Sequence, residues 1–271
     1  MSKPINRDLF NMDGRTAVVT GAGGGLGRVF AQALAAFGAR VFCTDINLAG
    51  AEETAELIKQ SGGKADALQV DAADESSIAN LAAVIEAEGG RCDVLVNNAG
   101  IATGKHRIHE IPLENWDRLM AVNLRGVFLC TRALLPFMLK QGSGSVINLS
   151  SVAGLVGVSP SIPAVAADYS ASKGAVIAFT RQGAADYGGD DIRFNAICPG
   201  WHLGTELGRD ELGTQTPEQL EAFLSKLQGL TPMGRTGDPT ELAGLVVYLA
   251  SDASSFLTGQ VIANDGGWTA L

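Results

Sequence analysis

Tyr169 and Lys173 stand four residues apart in a segment, 168–187, whose spacing reads as a helix, so the two share one face. A phenol beside an ammonium ionises more easily, because the cation favours the phenolate. Moving a tyrosine from about 10 to about 7 takes roughly 4 kcal/mol of differential stabilisation, and the result is a group that exchanges a proton with an alcohol oxygen near neutral pH. A Y-x-x-x-K spacing arises often by chance. What adds weight here is that the same helix follows a strand ending in Ser150-Ser151.

A second set of residues points to a phosphate. Thr20-Gly21-Ala22-Gly23-Gly24-Gly25-Leu26-Gly27 lies between a strand and a helix. A helix N-terminus there offers unpaired N–H groups and a positive dipole end to a pyrophosphate, and glycines let the backbone approach closely. The strict G-x-G-x-x-G pattern fails, because the sixth residue from Gly21 is Leu26; the spacing that fits is T-G-x-x-x-G-x-G through Gly21, Gly25 and Gly27. Asp45 ends the next strand, 24 residues after Gly21. A carboxylate there can accept from both hydroxyls of an adenosine ribose and would repel a 2′-phosphate. Ile46 follows it, Gly24 precedes the second motif glycine, and Arg40 lies at the other end of the strand, so none of these places a cation for a 2′-phosphate. The reading is NAD over NADP. The alternative is that Asp45 only caps a turn.

The elements that must position these residues alternate. Strands are read at 15–20, 39–45, 65–70, 93–97, 145–150, 192–198 and 261–263, and helices at 25–38, 51–60, 75–88, 113–141, 168–187 and 240–250, with Pro136 expected to bend the fourth near its end. The strands are short apolar runs, as in a parallel sheet covered on both faces. The expectation is one α/β domain over 1–271, a doubly wound parallel sheet with helices on both faces and ligands at the carboxyl ends of its strands.

Composition sets the outer limits. With 46% hydrophobic and 18% charged residues and a mean hydropathy of +0.16, the chain is not a disordered one. A net charge of −9 argues against nucleic acid and against an anionic membrane surface as partners. The N-terminus has no apolar signal core and no apolar run reaches 18 residues, which points to a cytoplasmic protein. Cys43, Cys92, Cys130 and Cys198 are scattered without a C-x-x-C and read as buried small hydrophobes. No metal-ligand spacing is found; His106 and His109 form an i, i+3 pair with no third ligand nearby.

Taken together, the chain resembles the short-chain dehydrogenase/reductase family, in the branch with subunits of about this length. The likeness runs from Gly14 to Thr269 through TGAGGGLG (20–27), Asp71, NNAG (97–100), Asn123, SSVAG (150–154), YSASK (169–173), NAICPG (195–200) and TGQVIANDGG (258–267). It implies a Rossmann fold and hydride transfer between the nicotinamide of NAD and the carbon of a secondary alcohol or ketone. Tyr169 would be the general acid/base, Lys173 would bind the nicotinamide ribose and lower the phenol pKa, and Ser151, rather than Ser150, would hold the substrate oxygen. Asn123 would sit mid-helix and hold a water linking Lys173 to solvent. Gly21, Gly25, Leu26 and Gly27 would cradle the pyrophosphate, and Asp45 and Ile46 would meet the adenosine ribose. Asp71 and Ala72 would lie at adenine, and Asn98, Ala99 and Gly100 along the cofactor. Pro199 and Gly200 would bracket the nicotinamide, and Thr205 would meet its amide. The resemblance also implies a homotetramer, with the long helix, the Tyr169 helix and the C-terminal strand as candidate interfaces.

The substrate end is less regular. Ser151 and Tyr169 are 18 residues apart, more than the family's usual spacing, with an uncharged Pro-containing stretch at 158–167. Thr205 falls one position late after Pro199-Gly200. Three segments, 101–110, 155–167 and 201–230, should surround the reacting carbon; the last holds a helix at 217–227 capped by Thr216 and could close as a lid. Lys105, His106, Arg107 and His109 are either a cationic patch for substrate or a solvated loop. Trp201 and His202 are candidate substrate contacts, with packing against the lid as the alternative for Trp201; Trp116 and Trp268 read as packing residues. The expected reaction is NAD-dependent oxidation of a secondary alcohol, with a polyol, sugar or sugar acid as candidate. The alternatives are a ketone or 3-oxoacyl reductase and, disfavoured by the complete Asn123, Ser151, Tyr169, Lys173 set, a nicotinamide-binding sensor without turnover.

Overall fold

A computed structural model describes residues 7–104, 106–159, 162, 166–203 and 216–271. Seven strands form one all-parallel sheet: β1 (Thr16–Thr20), β2 (Arg40–Asp45), β3 (Lys64–Gln69), β4 (Val94–Asn97), β5 (Gly144–Leu149), β6 (Ile192–Pro199) and β7 (Val261–Asn264). Their order is β3-β2-β1-β4-β5-β6-β7, each pair parallel. The order reverses between β1 and β4, which opens a crevice at the carboxyl ends of these two strands.

Side chains alternate across a strand, so a strand buried on both faces must be apolar throughout. β1 behaves this way: Ala17 and Val19 join one core with Phe30, Leu34 and Val41, while Val18 joins the other with Phe42, Leu95, Leu134 and Phe194. Helices α1 (Gly25–Ala36), α2 (Leu48–Gln60) and α8 (Ala243–Ala250) cover the first face; α3 (Glu75–Ala87) and α5 (Gly126–Gln141) cover the second, with α6 (Ala167–Tyr187) beside β6. The expected doubly wound sheet is therefore the observed one.

Some boundaries differ for local reasons. α2 starts three residues early because the Asn47 side chain accepts from the Gly50 N–H and caps it. The long helix read at 113–141 is three pieces: α4 (Leu113–Met120), a π-helical turn (Ala121–Arg125) and α5. Pro136 lies inside α5, which runs on to Gln141 and stops at Gly142 with φ +68°. The stretch at 240–250 opens as a 3₁₀ turn, Pro239–Leu242, before α8. α7 (Pro217–Leu230) extends past Leu227 behind a Thr216/Gln219 capping box. Among the described residues only the run Leu113–Gln141 is long and apolar enough by length and composition to cross a membrane, and it is more than half buried inside this fold.

Candidate active site

The crevice at the sheet reversal is built by the two motifs that flank it. Thr20, at the end of β1, accepts through Oγ1 from the N–H groups of Asn98 and Ala99, both at 3.0 Å. Asn98 returns its amide to the carbonyls of Thr20 (2.9 Å) and Gly21 (3.1 Å). A Cβ at Gly27 would lie 2.0 Å from the Gly21 carbonyl oxygen, so α1 can approach β1 this closely only with glycine there. Gly21 and Gly25 hold φ of +66° and +50°, a left-handed backbone that other residues adopt at a cost. Gly24 caps α1 without a side-chain hydrogen bond, leaving the N–H groups of Gly25, Leu26 and Gly27 at an uncapped helix start.

Asp45 stands at the end of β2 against this loop. Its Oδ2 accepts from the Gly23 N–H and its Oδ1 from the Asn47 N–H, both at 2.8 Å. It thus caps a turn, and it also presents a carboxylate beside the glycine loop. Ile46 next to it is exposed. Arg28, which the sequence reading passed over, reaches the Gly23 carbonyl but also pairs with Glu53 and Thr54. Asp71 accepts from the Ala73 N–H after β3, and Ala72 packs where α5 begins, since a Cβ at Gly126 would touch it. An uncapped helix start, a glycine cradle and a carboxylate at the next strand end are together a fit for a dinucleotide.

The candidate reactive group lies across the crevice. Ser150 is buried and donates to the Lys173 carbonyl at 2.8 Å. Ser151 caps the 3₁₀ turn Val152–Gly154 by accepting from the Ala153 N–H at 3.1 Å, and it stands beside Tyr169, whose phenolate it favours. A Cβ at Gly154 would lie 2.7 Å from the Lys173 backbone, so glycine lets this turn seat on α6 and brings Ser151 to Tyr169. Lys173 donates Nζ to the Leu149 carbonyl at 2.8 Å and lies 5.6 Å from the centre of the Tyr169 ring. Gly100 faces both Lys173 Nζ and Asn123 Oδ1, each 3.4 Å from where its Cβ would be.

Asn123 occupies the π-helical turn and is fully buried. Its side chain accepts from the Ile101 N–H (2.8 Å) and donates to the Ile101 carbonyl (2.9 Å), which ties the segment after β4 to the long helix. Its amide is thus committed to another element, not to its own helix. Two residues absent from the sequence reading add a second tie. Asp168, fully buried, accepts from Thr103 Oγ1 at 2.5 Å and from the Tyr169 N–H at 2.8 Å. A carboxylate one residue before the tyrosine was the available signal.

The electrostatics depart from the expected lowering. Burial pushes the Tyr169 phenol up to about 12, against the opposing influence of the nearby Ser151 hydroxyl. The same burial pulls Lys173 down to about 8. Desolvation outweighs any help the lysine gives the phenolate, so in the chain by itself Tyr169 is a neutral proton donor at pH 7. Cys198 is also raised by burial, against an opposing influence of Ser150. All four cysteines are free and buried, and no metal-binding cluster occurs among the described residues.

On the substrate side, Pro199-Gly200 leads to Trp201 and His202. Gly200 packs on Asp265, and His202 bridges to Gly237. Trp201 meets Phe223 of α7 and Trp268 edge-on. Arg107 and His109 are exposed, and His109 lies 3.7 Å from Glu110, as in a solvated loop. Thr205 and Lys105 lie outside the described residues, as does part of the expected lid.

A family model described as enoyl-(acyl carrier protein) reductase matches residues 21–269. The structure of a short-chain type dehydrogenase/reductase from Mycobacterium marinum superimposes with a TM-score of 0.89 at 34% identity, over 97% of this chain and 99% of that one. The chain belongs to the short-chain dehydrogenase/reductase family. It is 41% identical over 254 residues to 2-(S)-hydroxypropyl-CoM dehydrogenase 3 of Xanthobacter autotrophicus, covering 93% of this chain and 96% of the relative. A gluconate 5-dehydrogenase from Burkholderia cenocepacia, solved with NADP and tartrate, matches with a TM-score of 0.88 at 36% identity, over 97% and 98% of the two chains. This is thus an oxidoreductase of a family that binds a nicotinamide cofactor.

Proposed function

We propose that this short-chain dehydrogenase/reductase oxidises a secondary alcohol to a ketone with NAD. The observation that carries the reaction is the placement of Ser151 and Lys173 beside the Tyr169 phenol, with Lys173 Nζ 5.6 Å from the ring centre, across the crevice from the glycine cradle. Ser151 would hold the substrate oxygen while Tyr169 exchanges a proton with it. Lys173, kept by Leu149 and Ser150 in one place, would bind the nicotinamide ribose and steady the phenolate. Gly21, Gly25, Leu26 and Gly27 would hold the pyrophosphate, Asp45 and Ile46 the adenosine ribose, and Asp71 and Ala72 the adenine. Asn98, Ala99, Gly100, Pro199, Gly200 and Thr205 would line the rest. The nicotinamide, when bound, supplies the hydride acceptor and a positive ring that further favours the phenolate.

Asp45 supports NAD over NADP, because a 2′-phosphate would meet its carboxylate and the neighbouring Arg28 is already paired with Glu53. The expected kcat/KM ratio is about a hundredfold for NAD, and Asp45→Ala should narrow it. Equal efficiency with NADP would overturn this half of the proposal. Steady-state NADH formation on a panel of secondary alcohols, beside Tyr169→Phe, tests the other half; turnover that survives the substitution would sink it.

A ketone reductase, including 3-oxoacyl chemistry, is the second reading. It is favoured by the Tyr169 phenol, which burial holds in its proton-donating form. Ketone reduction faster than alcohol oxidation at pH 7 would move the assignment there. We also infer a homotetramer in a reducing cytoplasm. Exposed Phe128 and Leu139 on α5, the free edge of β7 and four unpaired thiols support this, and light scattering tests the assembly.

A further inference from the structure

The backbone of Tyr169 is held from both sides by buried side chains. Its N–H donates to Asp168 Oδ1 at 2.8 Å, and its carbonyl accepts from the Ser172 hydroxyl at 2.8 Å. Each holder leads to the segment after β4. Asp168 Oδ2 accepts from Thr103 Oγ1 at 2.5 Å. Ser172 Oγ accepts from the Asn123 amide at 3.3 Å, and that amide also donates to the Ile101 carbonyl. The bonds close a ring, from Tyr169 through Asp168 to Thr103, back along the chain to Ile101, and through Asn123 and Ser172 to Tyr169. Asp168, Asn123 and Ser172 are fully buried.

The Ser172 bond is an ordinary helical one, made to the carbonyl three residues back. Asp168 is the costly member, because a carboxylate taken wholly out of water loses hydration that its partners must replace. The first turn of α6 supplies one part, since the positive end of the helix favours an anion there. Thr103 supplies another. An apolar residue at 168 would form the same helical turn without that cost, so the carboxylate points to a task at Thr103. Ile101 and Ala102 pack against the cluster of Tyr169, Leu119 and Ala153 and form a wall beside the phenol. The bond at Ile101 fixes one end of this wall, and the bond at Thr103 fixes the other.

We propose that Asp168 is a positioning residue for proton transfer at Tyr169: by holding Thr103 it keeps the 101–103 wall in register with the phenol, so that the reacting oxygen meets the hydroxyl at bonding distance. Such transfer needs about 2.6–3.2 Å between heavy atoms, and small displacements lower the rate steeply. The proposal rests on the reading of Tyr169 as the acid/base and adds the group that sets its surroundings.

The test uses the full chain with NAD and four alcohols, cyclohexanol, 1-phenylethanol, sorbitol and gluconate, well below the unfolding temperature. With the best of the four, Thr103→Val should lower kcat about fivefold, the worth of one hydrogen bond, while NADH affinity in a fluorescence titration stays unchanged. Thr103→Ser keeps the hydroxyl, and Asp168→Asn keeps both bonds with its amide donating to Thr103; each should stay within about twofold of wild type. Thr103→Val combined with Asp168→Ala should be no slower than Asp168→Ala alone, since the same bond is lost once. A loss of stability by itself would lower Tm and leave kcat intact. Equal kcat in Thr103→Val and Thr103→Ser, with Tyr169→Phe inactive, would overturn the proposal and leave the dehydrogenase reading standing, and these two variants decide it whether or not Asp168→Ala folds. No turnover of any of the four alcohols, by protein that still binds NADH, would overturn the dehydrogenase reading and this proposal with it.

Discussion

At the strand ends, Asn98, Asn123, Ser150 and Lys173 each bond a backbone carbonyl of another element. At the lid, Ile162, Phe223, Leu227 and Trp201 meet through apolar contact. The first region is a polar floor, fixed by directional bonds whose geometry tolerates little change. The second is an apolar roof, where shape and volume matter and many side chains would serve. The contrast explains why motifs mark the floor and irregular spacing marks the roof. On the proposed reading it also divides the labour: the floor would fix the reaction, and the roof would select what enters.

The sharpest way to break this division is Tyr169→Phe. Loss of the phenol from the floor should lower kcat about a thousandfold, while NADH still binds in a fluorescence titration. Loss of cofactor binding as well would mean that the phenol holds up the floor instead of serving the chemistry.

Lys173 gives the next largest effect. Its folded pKa, about 8, lies below the ordinary 10.5, so between these values the unfolded chain binds more protons and stability rises with pH. Cofactor-free protein should gain up to about 3 kcal/mol across this window in urea unfolding, and Lys173→Met should lose most of that gain. Tyr169, raised from 10 to about 12, acts in the opposite sense: the folded chain keeps its proton longer, and stability should fall from pH 10 to 12. A flat profile below pH 10 would show that Lys173 is better solvated than its burial implies.

For the roof, Leu227→Ala should cost about 3 kcal/mol of stability and raise KM with little change in kcat. A fall in kcat of the size expected for Tyr169→Phe would erase the distinction between the two regions. The smallest expected effect is at their seam, where Thr103 ties the segment after β4 to Asp168 beside the tyrosine. Thr103→Val should cost about 1 kcal/mol, read as a fall in Tm of about 2–4 °C.

Much of the floor was legible in the sequence because its residues have few substitutes. Only glycine fits at Gly27, 2.0 Å from a carbonyl by its missing Cβ, or turns at Gly21 with φ +66°. The alternation of short apolar runs with helical segments gave the sheet, since strands covered on both faces must be apolar throughout. The choice of Ser151 over Ser150 came from the family motif; in the structure Ser150 donates to the Lys173 carbonyl. The π-helical turn around Asn123 left no mark in the periodicity, because one widened turn shifts the register of a long helix without changing its composition.

By itself, the sequence determined the parallel sheet, the glycine cradle and the set of candidate reactive residues, because these depend on local backbone conformation and on spacing along the chain. Only the tertiary structure decided the electrostatic state of Tyr169 and Lys173, since desolvation depends on what surrounds them from distant segments. It alone joined Val158, Ile162, Phe223 and Trp201 into one wall, because apolar contacts between remote residues carry no spacing rule.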